Sequence, residues 1–125
     1  MRQIIIEADR YSWPGVIYDT PTGEKIIDAL PIEGTVNVWG NELYFSTGLN
    51  IDLEEDAQEE VEVGDLAFWP VDNAFCIFFG PTPLSSNDKP VAYSPVNIFG
   101  QVTSDQELFK NMEPGSIVKI SIQNV

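Results

Sequence analysis

Glycine and proline interrupt this chain so often that the sequence favours many short elements over a few long ones. Nine glycines and nine prolines are spread through 125 residues. The runs between them are short and either apolar or alternating in polarity. Such a pattern is typical of many short strands joined by turns. The sequence therefore predicts a mainly β protein, either a sandwich or a barrel.

Three pairs of strands are predicted from the local text. A first hairpin joins "IIIEAD" to "GVIYD", and a second lies in "TVNVWGNELYF" around Gly40-Asn41, a pair that tolerates positive φ. The third pairs "DLAFWP" with "AFCIFFG". Because "AFCIFF" is apolar on both faces, it should be a strand covered on both sides. Further strands are predicted in "PVNIFGQV" and "SIVKISI".

Two segments break the strand pattern and predict short helices. In "TPTGEKIIDALP", Pro21 suits the first turn of a helix and Pro31 ends it. In "SDQELFKNMEPG", Ser104 and Glu107 have the spacing of a capping box, which predicts a second helix before the last strand.

Length and composition indicate one domain over residues 1–125. The chain is 43% hydrophobic, enough to bury a core. No apolar run approaches the roughly 20 residues that span a bilayer. The N-terminal "MRQIIIEADR" does not resemble a secretory signal, and the one cysteine, Cys76, cannot form an internal disulfide, so a cytoplasmic location is expected.

The charge balance limits the expected partners. Twenty acidic and six basic residues give a net charge of −14. Such a surface repels phosphate groups, so neither nucleic acid nor an anionic membrane is expected to bind. Seven of the acids lie between Asp52 and Glu62. Their spacing does not match a calcium loop, and a solvated, extended loop is predicted. Adaptation to a saline cytoplasm is an alternative explanation for the acidity.

The absence of histidine restricts the possible chemistry. Serine and cysteine triads of the usual kind need a histidine, and the chain has none. One cysteine with carboxylates makes a poor zinc site. No metal or other cofactor is expected.

The element order and several motifs resemble a known family. One helix after the first hairpin and another before the last strand is an order that resembles the cyclophilin barrel. A closer resemblance is to a family of small prokaryotic proteins called cyclophilin-like, through "IYDTPTGEKIIDALP", "WGNELYF", "VEVGDLAFWP", "AFCIFFGPTP" and "SPVNIFG". These segments extend from about Ile17 to about Val102. The resemblance implies a closed eight-stranded barrel with two short helices at its ends, and a cleft.

The catalytic group of the cyclophilins has no counterpart in this sequence. In that family an arginine on a strand after the first helix stabilises the transition state of prolyl isomerisation. The matching segment "TVNVWGNELYF" contains none, and the only arginines are Arg2 and Arg10. The phenylalanine of the proline pocket aligns with Cys76, its tryptophan aligns with Leu84, and its histidine is missing. The sequence therefore argues against prolyl isomerase activity.

Acidic and aromatic residues in the middle of the chain form the predicted cleft. Strand alternation puts Glu42 and Tyr44 on one face, where Glu42 could be a desolvated base or hydrogen-bond acceptor. Alternatively, Glu42 faces water at the edge of a turn. Asp65 is predicted to bind backbone amides in a turn, and Cys76 to be buried and inert. The cleft residues that the sequence predicts are Trp39, Glu42, Tyr44, Phe68, Trp69, Cys76, Phe79, Pro81, Thr82 and Pro83.

Three functions follow from this arrangement. The favoured one is a binding protein whose aromatic cleft takes a small molecule or an extended peptide, with the Pro81–Pro83 loop over it. The alternative is an enzyme, either a weak prolyl isomerase or an unassigned activity that uses Glu42 and Tyr44. A third is an interaction module whose aromatic rim pairs with a host protein or with a second copy, as a homodimer.

Overall fold

The computed structural model describes residues 1–123 and contains one large, mainly antiparallel sheet. In chain order the elements are β1 (Arg2–Ala8), β2 (Tyr11–Ile17), α1 (Pro21–Ala29), β3 (Ile32–Thr35), β4 (Asn37–Trp39), β5 (Glu42–Ser46), β6 (Gln58–Glu60), β7 (Asp65–Trp69), β8 (Ala74–Phe78), β9 (Val91–Val102), a 3₁₀ helix (Glu107–Asn111) and β10 (Ile117–Ile122). No helix among these is long and apolar enough to cross a membrane.

All three predicted hairpins are present, and each is antiparallel. They are β1–β2, β4–β5 and β7–β8. Gly40 has the positive φ, 57°, that the turn between β4 and β5 requires. Every residue of β8 is buried, as its two apolar faces predicted.

The predicted closure into an eight-stranded barrel is wrong. The ten-stranded sheet runs in the order β3-β10-β1-β2-β9-β7-β8-β5-β4, with β6 paired to β9 outside this path. No ladder joins β3 to β4 within residues 1–123. Only Val36 separates these two strands, and its backbone is bonded to Ser116 and Gly115 instead. Because an antiparallel pair needs a turn of about two residues, neighbours joined by one residue cannot pair with each other.

The first helix is confirmed, with local contacts at each end. The Thr20 hydroxyl accepts a hydrogen bond from the Gly23 N–H at 3.0 Å, and Pro21 occupies the first turn. The helix ends at Ala29, two residues before Pro31. Its buried Ile26 joins the main core.

The second predicted helix is a 3₁₀ turn instead of an α-helix. The capping box between Ser104 and Glu107 does not form, and the turn has no side-chain cap. The Asp105 carboxylate accepts a hydrogen bond from the Glu107 N–H at 2.8 Å. Such a bond two residues along the chain competes with α-helical geometry. Phe109 from this turn stacks on Trp13, with ring centroids 4.0 Å apart.

Side chains on the two faces of the sheet form two separate apolar clusters. Phe75 and Ile77 point into a main cluster, whereas Ala74, Cys76 and Phe78 point into a second. The main cluster is larger and includes Ile4, Ile6, Trp13, Ile17, Leu43, Phe45, Leu66, Phe68, Phe75, Phe99, Phe109 and Ile120. The second cluster consists of Val61, Ala67, Ala74, Cys76, Phe78, Ala92 and Val96.

The acidic segment from Asp52 to Glu62 is mostly exposed, but it is attached to the sheet at several points. The half-buried Glu54 carboxylate accepts hydrogen bonds from the N–H and hydroxyl of Thr22. The Glu54 N–H donates to the Asn97 side chain at 2.8 Å. Further along the segment, β6 pairs with β9 and Val61 is buried in the second cluster. The segment is therefore bound to the sheet along its length, while most of its charged side chains are exposed. Residues 1–123 contain no cluster of side chains suited to a metal ion.

Candidate functional site

A cavity of about 240 Å³ lies on the face of the sheet that carries the second cluster. Strands β4, β5, β7 and β9 supply its walls. Its lining residues are Trp39, Glu42, Tyr44, Trp69, Ala92, Tyr93 and Val96. Four of the residues that the sequence predicted for the cleft are thus brought together.

Strand register explains how these four side chains meet. Trp39 and Glu42 are directly opposite each other across the β4–β5 hairpin. Tyr44 follows Glu42 by two residues, so it lies on the same face of β5. Across the sheet, Cys76 of β8 is the register partner of Tyr44, and Trp69 of β7 is the partner of Ala74. The small side chains of β8 leave the space between the larger rings unfilled.

Four aromatic rings form a continuous series around the cavity. Trp39 contacts Tyr93 edge to face, with centroids 6.0 Å apart and planes at 73°. Tyr93 and Trp69 are also 6.0 Å apart, at 72°. Trp69 and Tyr44 are 6.3 Å apart, at 84°. Edge-to-face contacts of this kind are favourable between aromatic rings, and here they join four rings that all line the cavity.

Trp69 is held in place by a hydrogen bond to β9. Its indole N–H donates to the Ser94 hydroxyl at 2.6 Å, across the β7–β9 pair. Tyr93, the next ring in the series, is 67% exposed and forms the rim of the cavity. The wall is therefore fixed at Trp69 and open to solvent at Tyr93.

Glu42 is the one charged residue in the described lining, and it is only 6% exposed. Burial raises the pKa of its carboxyl from 4.5 to about 7, and the neighbouring Cys76 thiol acts in the opposite direction. No lysine or arginine within residues 1–123 forms an ion pair with it. A buried carboxyl that titrates near neutrality can accept a hydrogen bond or exchange a proton with a ligand.

Cys76 lies behind the cavity wall and is fully buried. Burial, and then the negative charge of Glu42, raise the pKa of this thiol well above its ordinary value. A thiol in that environment stays protonated and unreactive, as the sequence predicted.

The remaining predicted residues lie outside the cavity lining. Phe68 and Phe79 belong to the main cluster, where Phe79 packs on Phe109 at 5.8 Å. Phe68 and Trp69 thus point to opposite faces, as consecutive strand residues must.

The Pro81–Pro83 loop packs on the turn between β4 and β5. The Pro81 carbonyl accepts a hydrogen bond from the Asn41 N–H at 3.0 Å. The buried Thr82 hydroxyl donates to the Val91 carbonyl at 2.6 Å. Pro81 and Pro83 are exposed. The loop therefore supports the hairpin that carries Trp39 and Glu42 and contributes no side chain to the lining.

Sequence reasoning missed the contribution of β9, which supplies Ala92, Tyr93 and Val96 to the cavity and Ser94 to Trp69. The strand is twelve residues long and continues through Pro95. Alternation of Ala92, Ser94 and Val96 was the available signal, but Pro95 obscured it. The pairing of β9 with β6 is irregular here, because Gln58 pairs with Val96 but Glu60, two positions later, pairs with Val91, five positions earlier. That irregularity breaks strict alternation and explains how Ala92 and Tyr93 both reach the cavity.

Asp65 has the turn role that the sequence predicted. Its carboxylate accepts a hydrogen bond from the Glu62 N–H at 2.8 Å, and the residue is 6% exposed. Burial raises the pKa of this carboxyl, and the backbone hydrogen bond opposes the shift. The group closes a turn and does not line the cavity.

Fold and site together define a small, mainly β protein with an aromatic pocket that contains one carboxyl group. A family model described as cyclophilin-like matches residues 2–121, and the chain belongs to that family. It is also similar to the hypothetical protein AF2241 from Archaeoglobus fulgidus, whose solution structure gives a TM-score of 0.81 at 32% sequence identity, over 98% of this chain and 95% of that one. No curated protein matches the chain. The family resemblance seen in the sequence is confirmed.

Proposed function

We propose that the protein is a cytoplasmic ligand-binding protein whose cavity takes a small molecule or one side chain of an extended peptide. The observation that carries this proposal is the convergence of partly exposed aromatic rings on a buried carboxyl without a cationic partner. Binding pockets commonly combine apolar walls with a few polar groups that fix orientation. The single cysteine, Cys76, is in keeping with a reducing compartment.

Stability alone does not account for this arrangement. Burying a carboxyl without a charged partner costs free energy, and its raised pKa is the measure of that cost. An apolar residue in place of Glu42 would avoid the penalty. The cost is understandable if a ligand supplies the missing partner when it binds.

The size of the cavity favours a compact ligand. Its volume of about 240 Å³ is slightly below the roughly 300–1,000 Å³ of drug-sized pockets. A small molecule or a single side chain fits such a space. The rest of an extended peptide would lie outside it, along the rim at Tyr93.

Prolyl isomerisation is not supported by the charges around the cavity. No arginine or lysine is among the residues that line it within the described chain. Arg10 lies over the ring of Tyr11, with its guanidinium carbon 5.6 Å from the centroid. The electrophile that would stabilise a twisted prolyl bond is therefore missing from the pocket.

An enzyme that uses Glu42 as a general base is the second candidate. The observation in its favour is the pKa of about 7, since a base works best when its pKa is close to the operating pH. Tyr44 is the neighbouring hydroxyl on the same face. A Glu42→Gln variant would lose such an activity on any substrate that the binding experiment identifies.

A nuclear magnetic resonance screen of the ¹⁵N-labelled protein tests the binding function. The screen uses a fragment library with neutral, anionic and cationic members. We expect at least one member to shift the amide signals of Glu42, Tyr44 and Tyr93, and its binding to raise the melting temperature.

The matched variants for this screen are Tyr93→Ala and Leu84→Ala. Both side chains are largely exposed, but only Tyr93 lines the cavity. Tyr93→Ala should weaken the binding and Leu84→Ala should not. The proposal fails if no fragment shifts the cavity amides, or if both variants bind alike.

A further inference from the structure

We propose that the cavity recognises a methylated alkylammonium cation, enclosed by Trp39, Tyr44, Trp69 and Tyr93 and paired with Glu42. This inference rests on the proposed binding function and names the ligand class of the same site. It follows from the ring geometry, the charge of the lining and the scarcity of hydrogen-bonding groups in the walls.

The four rings are arranged as an aromatic box. Successive centroids are 6.0, 6.0 and 6.3 Å apart, and successive planes meet at 73°, 72° and 84°. A cation inside such a box can lie within about 6 Å of several ring centroids at once, where the ring quadrupoles attract it. An anion would be repelled by the same ring faces. The box therefore selects by charge as well as by size.

The fixed charges around the cavity act in the same direction. Glu42 is the only charged residue in the described lining, and no basic group offsets it. The whole chain carries a net charge of −14. Such a surface attracts cations over a distance and raises their local concentration at the pocket. A bound cation would also supply the partner that the Glu42 carboxylate lacks.

The walls contain too few oxygen atoms for a metal ion, and aromatic side chains make up most of the lining. Calcium takes six to eight oxygen ligands, and no cluster suited to a metal exists within residues 1–123. A primary ammonium has three N–H donors and is strongly hydrated, so replacing its water by ring faces is costly. The lining offers the Glu42 carboxyl and the hydroxyls of Tyr44 and Tyr93, while the Trp69 N–H is a donor already bonded to Ser94. A nitrogen that carries methyl groups needs few or no hydrogen bonds and presents an apolar surface to the rings.

Two sources could supply this chemistry. One is a free quaternary amine of the size of choline. The other is a trimethylated lysine side chain of a peptide, whose backbone would lie on the rim beside Tyr93. Both present the same trimethylammonium group to the box, so the experiment includes an arm for each.

The test is a titration of the ¹⁵N-labelled protein with tetramethylammonium, choline and 3,3-dimethylbutanol. The alcohol has the shape of choline without its charge. The titration is run at pH 8, where most of Glu42 is ionised, since its pKa is about 7. We expect both cations to shift the amides of Glu42, Trp69 and Tyr93, and the alcohol to bind about tenfold more weakly or not at all.

Two variants and one matched control complete the design. Glu42→Gln should weaken choline binding about tenfold and so reduce the preference for choline over the neutral alcohol. Tyr93→Leu keeps apolar volume at an exposed rim position and should also weaken the cation selectively. Glu55→Gln removes the same charge from an exposed site outside the lining and should have little effect.

The outcomes separate this inference from the function on which it rests. Equal affinity for choline and the neutral alcohol, or unchanged cation binding in Glu42→Gln and Tyr93→Leu, would overturn the cation proposal alone. If neutral or anionic fragments shift the cavity amides and no methylated cation does, the binding function stands and this inference falls. If nothing shifts them, both fail.

The source of the ligand is decided by a final comparison. Trimethyllysine as a free amino acid is compared with a short peptide that contains it and with the unmethylated peptide. Tighter binding of the methylated peptide than of the amino acid indicates a peptide side chain, and similar binding indicates a free amine. Equal binding of the methylated and unmethylated peptides would contradict the proposal.

Discussion

The main cluster and the cavity use the same kinds of aromatic side chain in opposite ways. In the main cluster, Phe45 stacks on Phe75 and Trp13 stacks on Phe109, both with planes at 13°, and Phe75 meets Phe99 edge to face at 78°. These rings are buried and fill the available volume. Around the cavity, neighbouring planes also meet steeply, at 72–84°, but these rings keep part of their surface in solvent.

The residues packed next to the rings account for this difference. The main cluster surrounds its aromatics with Ile, Leu and Val side chains. The second cluster, on the cavity side, contains Val61, Phe78 and Val96, but its other four members are the small residues Ala67, Ala74, Cys76 and Ala92. Small side chains under large rings leave unfilled volume, whereas branched aliphatic chains occupy it. A pocket can therefore arise from the small residues of a sheet face as much as from its aromatic ones.

The largest expected effect is the loss of stability on shortening a ring of the main cluster. Phe75 is fully buried and contacts both Phe45 and Phe99 at centroid distances of 5.2 and 5.1 Å. Phe75→Ala should lower the free energy of unfolding by about 3–5 kcal/mol, because it removes buried area and leaves a cavity. Urea unfolding followed by circular dichroism measures it.

The control for that variant is Tyr93→Ala, at the cavity rim. Tyr93 is 67% exposed, so its truncation should cost no more than about 1 kcal/mol. Comparable losses in the two variants would show that both aromatic regions are structural, and the contrast between them would then be wrong.

An intermediate effect is expected from the pH dependence of Glu42→Gln. The folded protein holds a proton on Glu42 up to about pH 7, whereas an unfolded chain releases it near 4.5. The folded state therefore binds more protons in that window, and the free energy of unfolding falls as the pH rises through it. The Glu42→Gln variant lacks this loss. The free energy of unfolding of the variant minus that of the parent should therefore be up to about 3 kcal/mol higher at pH 8 than at pH 4.5.

The measurement is a series of urea unfolding curves for both proteins between pH 4.5 and pH 8. The pKa of Asp65 is also raised by burial, but this group is common to both proteins and its effect cancels in the difference. Glu55→Gln, at an exposed position, should run parallel to the parent at every pH. A Glu42→Gln curve that also ran parallel would mean that this carboxyl is not desolvated.

The smallest effect is expected at Ser94, which fixes Trp69 in the cavity wall. Ser94→Ala removes the hydrogen bond of 2.6 Å to the indole N–H and should cost about 0.5–1.5 kcal/mol. It should also change the tryptophan emission, since Trp69 loses a polar contact. Ser94→Thr retains a hydroxyl and is the rescue variant. An unaltered spectrum and stability in Ser94→Ala would show that the contact does not hold the ring.

The sequence was informative wherever a local pattern decides the outcome. Strand alternation placed Glu42 beside Tyr44 and separated Phe68 from Trp69, because side chains on a strand alternate whatever the partner strands are. The turn at Gly40-Asn41 followed from the backbone freedom of glycine. The buried state of Cys76 followed from its apolar neighbours.

The features that the sequence did not reveal depend on partners distant along the chain. Ala92 and Tyr93 lie about fifty residues after Glu42, and they reach the same cavity because β9 pairs with β7 and β6. One apolar face of β8 packs in the main cluster and the other borders the cavity. Residues of other strands decide which face does which. Two further features were missed because one residue decides each. Val36 bonds to Ser116 and Gly115 at the open sheet edge. The Asp105 carboxylate binds the Glu107 N–H at the 3₁₀ turn.

The contact between the Pro81–Pro83 loop and the β4–β5 turn limits which positions of this protein tolerate substitution. A side-chain carbon added at Gly40 would lie 2.7 Å from Pro83 and 2.9 Å from Thr82. Substitution there would displace the hairpin that presents Trp39 and Glu42. Tyr93 is 67% exposed, so related proteins can vary this position without such a clash. New ligand preferences would therefore be expected to arise at this rim position of β9 and not at the hairpin.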